Sequence, residues 1–146
     1  MILIQIIAGA CSSGRNELYY TDTYESEGKK MRDYLLISQD YVYWMYSDGT
    51  PRRVSKNIRE NYSAKAKYKI VEDSIKFDFK EFIIGSKTVS NNKGHVTEKE
   101  RIKYDNEWVS YSGKFDKKEI DLLTISHSLS DTMHANVQFH RFRGFK

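Results

Sequence analysis

Polar and apolar positions alternate most clearly over residues 65–79, KAKYKIVEDSIKFDF. Successive strand side chains point to opposite faces, so Ala66, Tyr68 and Ile70 share one face while Lys65, Lys67 and Lys69 share the other. After the polar Glu72-Asp73 step the pattern returns as Ile75, Phe77 and Phe79 against Lys76, Asp78 and Lys80. This predicts a β-hairpin turning at Glu72-Asp73-Ser74, with one face on a core and one in water.

The same period of two marks strands at 18–24, 33–38, 41–47, 96–104, 108–115, 120–126 and 133–142. The hairpin itself runs on into Phe82-Ile83-Ile84 and stops at Gly85. Over residues 41–46 both faces are apolar, with Tyr41, Tyr43 and Met45 on one and Val42, Trp44 and Tyr46 on the other. That strand is expected to be covered on both sides. Residues 25–30 read as a polar connection, Asp48-Gly49 as a hairpin turn, 51–61 as a short helix or crossover, and 86–94 as an exposed loop. Asp105-Asn106-Glu107 reads as the bend of a hairpin joining 96–104 to 108–115. About eight to ten strands at this spacing predict an all-β fold: an antiparallel meander closing into a barrel or sandwich, which removes exposed edges.

Composition agrees. Eleven Tyr, seven Phe and one Pro favour strands over helices. A chain of 146 residues is one domain and can bury a core without disulfide staples; the single Cys11 has no partner for one. The formal net charge of +4 is spread through interspersed acidic and basic residues, which makes a poor electrostatic footprint for nucleic acid.

Residues 1–10, MILIQIIAGA, carry no charge and lead through Ala8-Gly9-Ala10 into Cys11-Ser12-Ser13-Gly14. They are too short to span a bilayer, which takes about 20 apolar residues. Read from the residues alone, the segment is either a short signal or an N-terminal core strand with Cys11 as a small thiol. Small residues running into a cysteine and then a Ser/Gly tether resemble the signal and lipobox of bacterial lipoproteins, although no Lys or Arg precedes the apolar run. The resemblance implies a signal at 1–10, an acyl (palmitate) anchor on Cys11, a tether over 11–16, and a β domain over 17–146. Ser12 after the cysteine implies the outer membrane of the cell envelope. The repeated unit of aromatic strand, short acidic turn and alternating strand, in 68–79 and 113–125, is similar to small lipocalin-like, calycin-type lipoproteins, without the Gly-x-Trp signature of true lipocalins.

Candidate chemistry is sparse. His134, Asn136, Gln138 and His140 share one face of the last strand, but His134 and His140 lie about 20 Å apart at the strand rise, too far to share an ion. Asp116, Glu119 and Asp121 lack the ligand spacing of an EF-hand. No nucleophile elbow, phosphate-cradling loop or zinc motif occurs, so no catalytic residue, metal ligand or cofactor is expected. Tyr43, Trp44, Tyr46, Trp108 and Tyr111 are the candidate ligand-binding residues, with core packing as the other reading. Arg52, Arg53, Lys56 and Arg59, with Lys65, Lys67 and Lys69, form a basic set that suits anionic lipids or, in a chain that is not lipidated, nucleic acid. The expectation is a non-catalytic, anchored protein that binds an apolar small molecule or an envelope partner. The alternatives are an immunity, exclusion or inhibitor protein acting through a basic, Tyr-rich surface, or a nucleic-acid-binding barrel.

Overall fold

A computed structural model describes residues 15–116, 118–128 and 131–144; the segment 1–14, with Cys11, lies outside the described residues. In chain order the elements are β1 (Glu17–Tyr20), β2 (Tyr24–Ser26), β3 (Lys29–Ile37), β4 (Tyr41–Ser47), α1 (Pro51–Ser55), α2 (Ile58–Asn61), β5 (Ala64–Val71) and β6 (Ser74–Phe79). They continue with β7 (Phe82–Ser90), β8 (Val96–Tyr104), β9 (Trp108–Phe115), β10 (Glu119–His127) and β11 (Thr132–Arg141). All pairings are antiparallel, as in β1 with β11 and β4 with both β3 and β5.

Eight strands close on themselves in the order β3, β1, β11, β10, β9, β6, β5, β4. A barrel of this size is just wide enough for side chains to fill it. Alternation then decides which ones do. Tyr19, Leu35, Ile37, Val42, Ile75, Phe77, Phe79, Ile120, Leu122 and Phe139 point inward and are buried together. The hairpin β5–β6 forms as its pattern predicts, with Tyr68 opposite Phe77 and Ile70 opposite Ile75. Its turn is the two residues Glu72-Asp73, since Ser74 already pairs with Val71; Glu72 takes a left-handed φ of 57°.

The expected double cover of β4 is present. Val42 and Trp44 face the interior, while Tyr43 and Met45 pack with Leu18, Tyr34 and Leu36 beneath Val54 of α1 and Ile58 of α2. Pro51 opens α1 where a missing N–H costs nothing, and Thr50 caps it by accepting from the Arg53 N–H at 3.4 Å. The Tyr34 hydroxyl donates to the Gly49 carbonyl at 2.5 Å, tying the helical patch to the wall.

Four local expectations are corrected. Residues 25–30 are no plain connection but the hairpin β2–β3, made possible by left-handed φ angles of 51° at Glu27 and 76° at Gly28. Asp48-Gly49 leads into α1 rather than back along β4. The strand from Phe82 does not stop at Gly85; it runs to Ser90, with register shifts between Ile83 and Gly85 and between Val89 and Ser90. And β8 does not pair with β9 around residues 105–107: it pairs with β7, while β9 sits between β6 and β10. The meander therefore makes one excursion, a β7–β8 hairpin joined to the barrel wall through Ala64 opposite Phe82.

Candidate functional site

The two ends of the barrel differ. At one, Tyr19 donates its hydroxyl proton to Glu17 Oε2 at 3.0 Å, Glu17 lies 3.6 Å from the Arg141 guanidinium, and the Arg15 guanidinium stacks 4.6 Å from the Phe115 ring centre. Polar and charged groups fill that end. The other is an open cleft of about 590 Å³ lined by Trp44 and Tyr46 of β4, Phe82 and Ile84 of β7, Tyr104 of β8, Trp108 and Val109 of β9, and Met133 of β11, with Ser126, His127, Ser128 and Asp131 at its rim. The volume is that of a small-molecule site.

Inward parity supplies Trp44, Tyr46, Val109, Ser126 and Met133, whereas Trp108 and His127, opposite each other on the alternate parity, reach the cleft from the ends of β9 and β10. Ser126 lies opposite Met133 on β11 and opposite Val109 on β9, one inward step above Thr124. Trp44 lies opposite Ala64, and Ala64 opposite Phe82, so the β7–β8 hairpin begins at the lip and forms one wall. Backbone bonds fix that corner: the Ser63 N–H donates to Trp44 O and the Ile83 N–H to Ser63 O, both at 2.7 Å.

The rings are set against one another. Phe82 stands perpendicular to Trp44 at 6.0 Å, Tyr46 lies 5.7 Å from Trp44, and across the cleft Trp108 stacks on His127 at 4.7 Å and 13°. Phe79 is the floor, 6.5 Å from Trp44 and 6.3 Å from Phe82. Much of this apolar surface meets water: Tyr46 is 53% exposed, Trp108 42%, Ile84 65% and Met133 67%. Scattered exposed apolar residues need no explanation, but convergence of four in one concavity marks a binding surface.

Of the five aromatic candidates, Trp44, Tyr46 and Trp108 line the cleft. Tyr43 faces the other way, edge-on to Tyr62 at 5.3 Å in the outer cluster. Tyr111 lies below the floor, stacked on Phe77 at 4.8 Å. Phe82, Ile84 and Tyr104 join the cleft unannounced by sequence, because the route of the β7–β8 hairpin decides what they face; Met133 joins it from the inward face of β11, opposite Ser126. His134 lies on the outer face of β11; His140 there has Asp22 at 3.4 Å and Glu119 at 3.8 Å. Among the described residues no group of His, Cys, Asp or Glu could hold a metal ion, and no helix is long and apolar enough to cross a membrane.

Asp33 also went unread. It lies opposite Tyr46, one inward step from Leu35, so its carboxylate enters the barrel beside the cleft. Burial raises its pKa, and hydrogen bonding from Tyr24, whose hydroxyl donates to Oδ1 at 2.6 Å, opposes the rise only in part. The Trp44 indole also helps hold the charge, yet its buried N–H completes no hydrogen bond of proper geometry. Burial, followed by the Asp33 charge, raises the Tyr111 phenol as well. Because folding strengthens proton binding at Asp33, the ionised group opposes folding; the penalty holds above the raised pKa and fades as pH falls toward 3.8. Asp33→Asn, which keeps an acceptor for Tyr24, is expected to be more stable than wild type at pH 7, with the gain shrinking as pH drops to 3. Urea unfolding across that range checks it; a variant less stable at pH 7 would contradict the sign.

Comparison of the chain with protein-family models, with curated proteins and with solved structures finds no match in any of the three.

Proposed function

We propose that this chain is a non-catalytic, membrane-anchored binding protein whose barrel mouth takes an apolar small molecule. One observation carries the reading: Tyr46, Ile84, Trp108 and Met133 all hold apolar surface in water around one concavity of small-molecule size. The interior below is filled by Phe77, Phe79 and Tyr111, so the ligand lies across the mouth rather than down the lumen as in a deep lipocalin-type cavity. The anchor rests on the lipobox-like run into Cys11. The outer face of β5 and β6 suits such an anchor, because Lys69 and Lys76 sit directly opposite each other. Facing like charges destabilise a sheet unless something anionic lies over them.

The only two tryptophans, Trp44 and Trp108, both line the cleft, so intrinsic fluorescence reports its occupancy. Titration with the neutral probe N-phenyl-1-naphthylamine is expected to be saturable, and Trp108→Ala, which removes a partly exposed ring, to weaken it about tenfold without loss of fold. Non-saturable uptake, or equal affinity in the variant, sinks the ligand site. The anchor is read separately by intact mass and membrane fractionation from the native host. A diacyl or triacyl mass on the chain, absent in Cys11→Ser, is expected; an unmodified chain that retains residues 1–10 overturns it.

A further inference from the structure

We infer that the ligand taken at the barrel mouth is an organic cation, a quaternary or methylated ammonium group carrying an apolar tail. The inference rests on the cleft being a ligand site and names what enters it. Its first support is charge. The chain has 24 Lys and Arg against 20 Asp and Glu, yet no Lys or Arg lines the cleft, whereas Glu107 and Asp131 do. Neither carboxylate forms an ion pair among the described residues; Asp131 Oδ1 accepts from the Thr132 N–H at 2.8 Å, and Glu107 is exposed. Unpaired carboxylates at the edge of an apolar concavity favour a cationic guest over an anionic one, through both long-range attraction and the cost of bringing a second negative charge there.

Ring geometry is the second support. Aromatic faces carry negative quadrupole density, and several rings around one space form the cage that selects alkylated ammonium groups, whose diffuse charge sheds water cheaply. Trp44 with its perpendicular neighbour Phe82 forms one corner, Tyr46 adjoins it, and Trp108 stands on the opposing wall. Lysines and arginines elsewhere already occupy aromatic faces: Lys65 lies 4.7 Å from the Tyr41 ring centre, Arg32 5.2 Å from Tyr20 and Arg101 4.8 Å from Tyr62. No cation of the described chain lies over the rings of Trp44, Tyr46, Phe82 or Trp108. The apolar strip of Ile84, Val109 and Met133 continues from the rings and has room in about 590 Å³ for a tail of several methylenes.

The test compares three guests of one tail length by calorimetry at low salt, octyltrimethylammonium, 1-octanol and octanoate, on the wild-type chain and on Glu107→Gln/Asp131→Asn. Both carboxylates are exposed, so the double variant is expected to keep its fold, verified by circular dichroism. The expected result is octyltrimethylammonium bound about tenfold tighter than octanol and more so than octanoate, with the preference lost in the double variant and reduced by salt. Equal affinity for all three, or preference for octanoate, overturns the cation while leaving an apolar site in place. A preference that survives in the double variant overturns the role of the carboxylates. Failure of all three guests to bind, together with failure of the neutral naphthylamine probe, overturns the cleft as a ligand site altogether.

Discussion

Phe79→Ala is expected to cost about 4 kcal/mol of folding stability and to abolish binding at the barrel mouth. Phe79 is fully buried and stands where three aromatic pairs meet: Phe77 at 5.3 Å, Tyr111 at 5.4 Å and Phe82 at 6.3 Å, with Trp44 just beyond. Truncation removes the transfer energy of the ring and leaves a hole that β-sheet neighbours, pinned by their ladders, fill poorly. The hole lies under the cleft, so Trp44 and Phe82 lose the surface that holds them perpendicular. Urea unfolding measures the first effect and naphthylamine titration the second. Phe79→Leu, which keeps most of the volume, is expected to recover much of both. A variant that loses stability but binds at wild-type affinity would show that the floor does not shape the site.

Gly113→Ala is the second large effect, expected at about 3 kcal/mol or a fall in Tm of about 10 °C. Gly113 faces the interior of β9, between Ile75 on β6 and Leu122 on β10. A Cβ there would collide with the backbone carbonyl oxygen of Asp121 and lie 3.0 Å from Leu122 Cα. Neither is a side chain that can turn aside, so two strands of a closed wall must move apart. Glycine in a strand ordinarily weakens it, and its replacement by alanine reduces the entropy of the unfolded chain; here close approach outweighs that gain. Gly85 supplies the control, because a Cβ there meets only Ile102 Cδ1 at 3.7 Å. Gly85→Ala is expected to change stability by less than about 0.5 kcal/mol. Equal thermal shifts in the two variants would refute the close-approach argument.

What was legible in the sequence follows from what alternation encodes. Period two assigns parity, and parity put Ile75, Phe77 and Phe79 inside and the lysines of β5 outside. It also separates Trp44 from Tyr43, one residue and one face apart, so only one of the two can reach the cleft. Parity does not encode which strand lies beside which. Asp105-Asn106-Glu107 has the composition of a hairpin bend, but β8 pairs with β7 from Val96 to Tyr104 across two register shifts, and β9 is held to β6 by Tyr111 stacked on Phe77. Hence Phe82, Ile84 and Tyr104, which reach the mouth by that route, could not be assigned to it. Asp33 was hidden for another reason: an acidic residue beside a tyrosine looks like a strand edge, and only pairing with Tyr46 turns it inward.

The seam between β1 and β11, where Tyr19 meets Arg141 and Tyr20 meets His140, sets the order in which the molecule can be made. Hairpins such as β5–β6 and β10–β11 can form as soon as their own residues exist, on the microsecond scale of local pairing. The seam joins segments separated by nearly all the other strands, and it carries the loop-closure entropy of the whole ring. Until it zips, β1 and β11 are two free strand edges bordering a half-made apolar trough, the state in which one chain can pair with another. Folding is therefore expected to be gated by one late, long-range event, and the newly synthesised chain to depend on whatever shields those edges until β11 arrives.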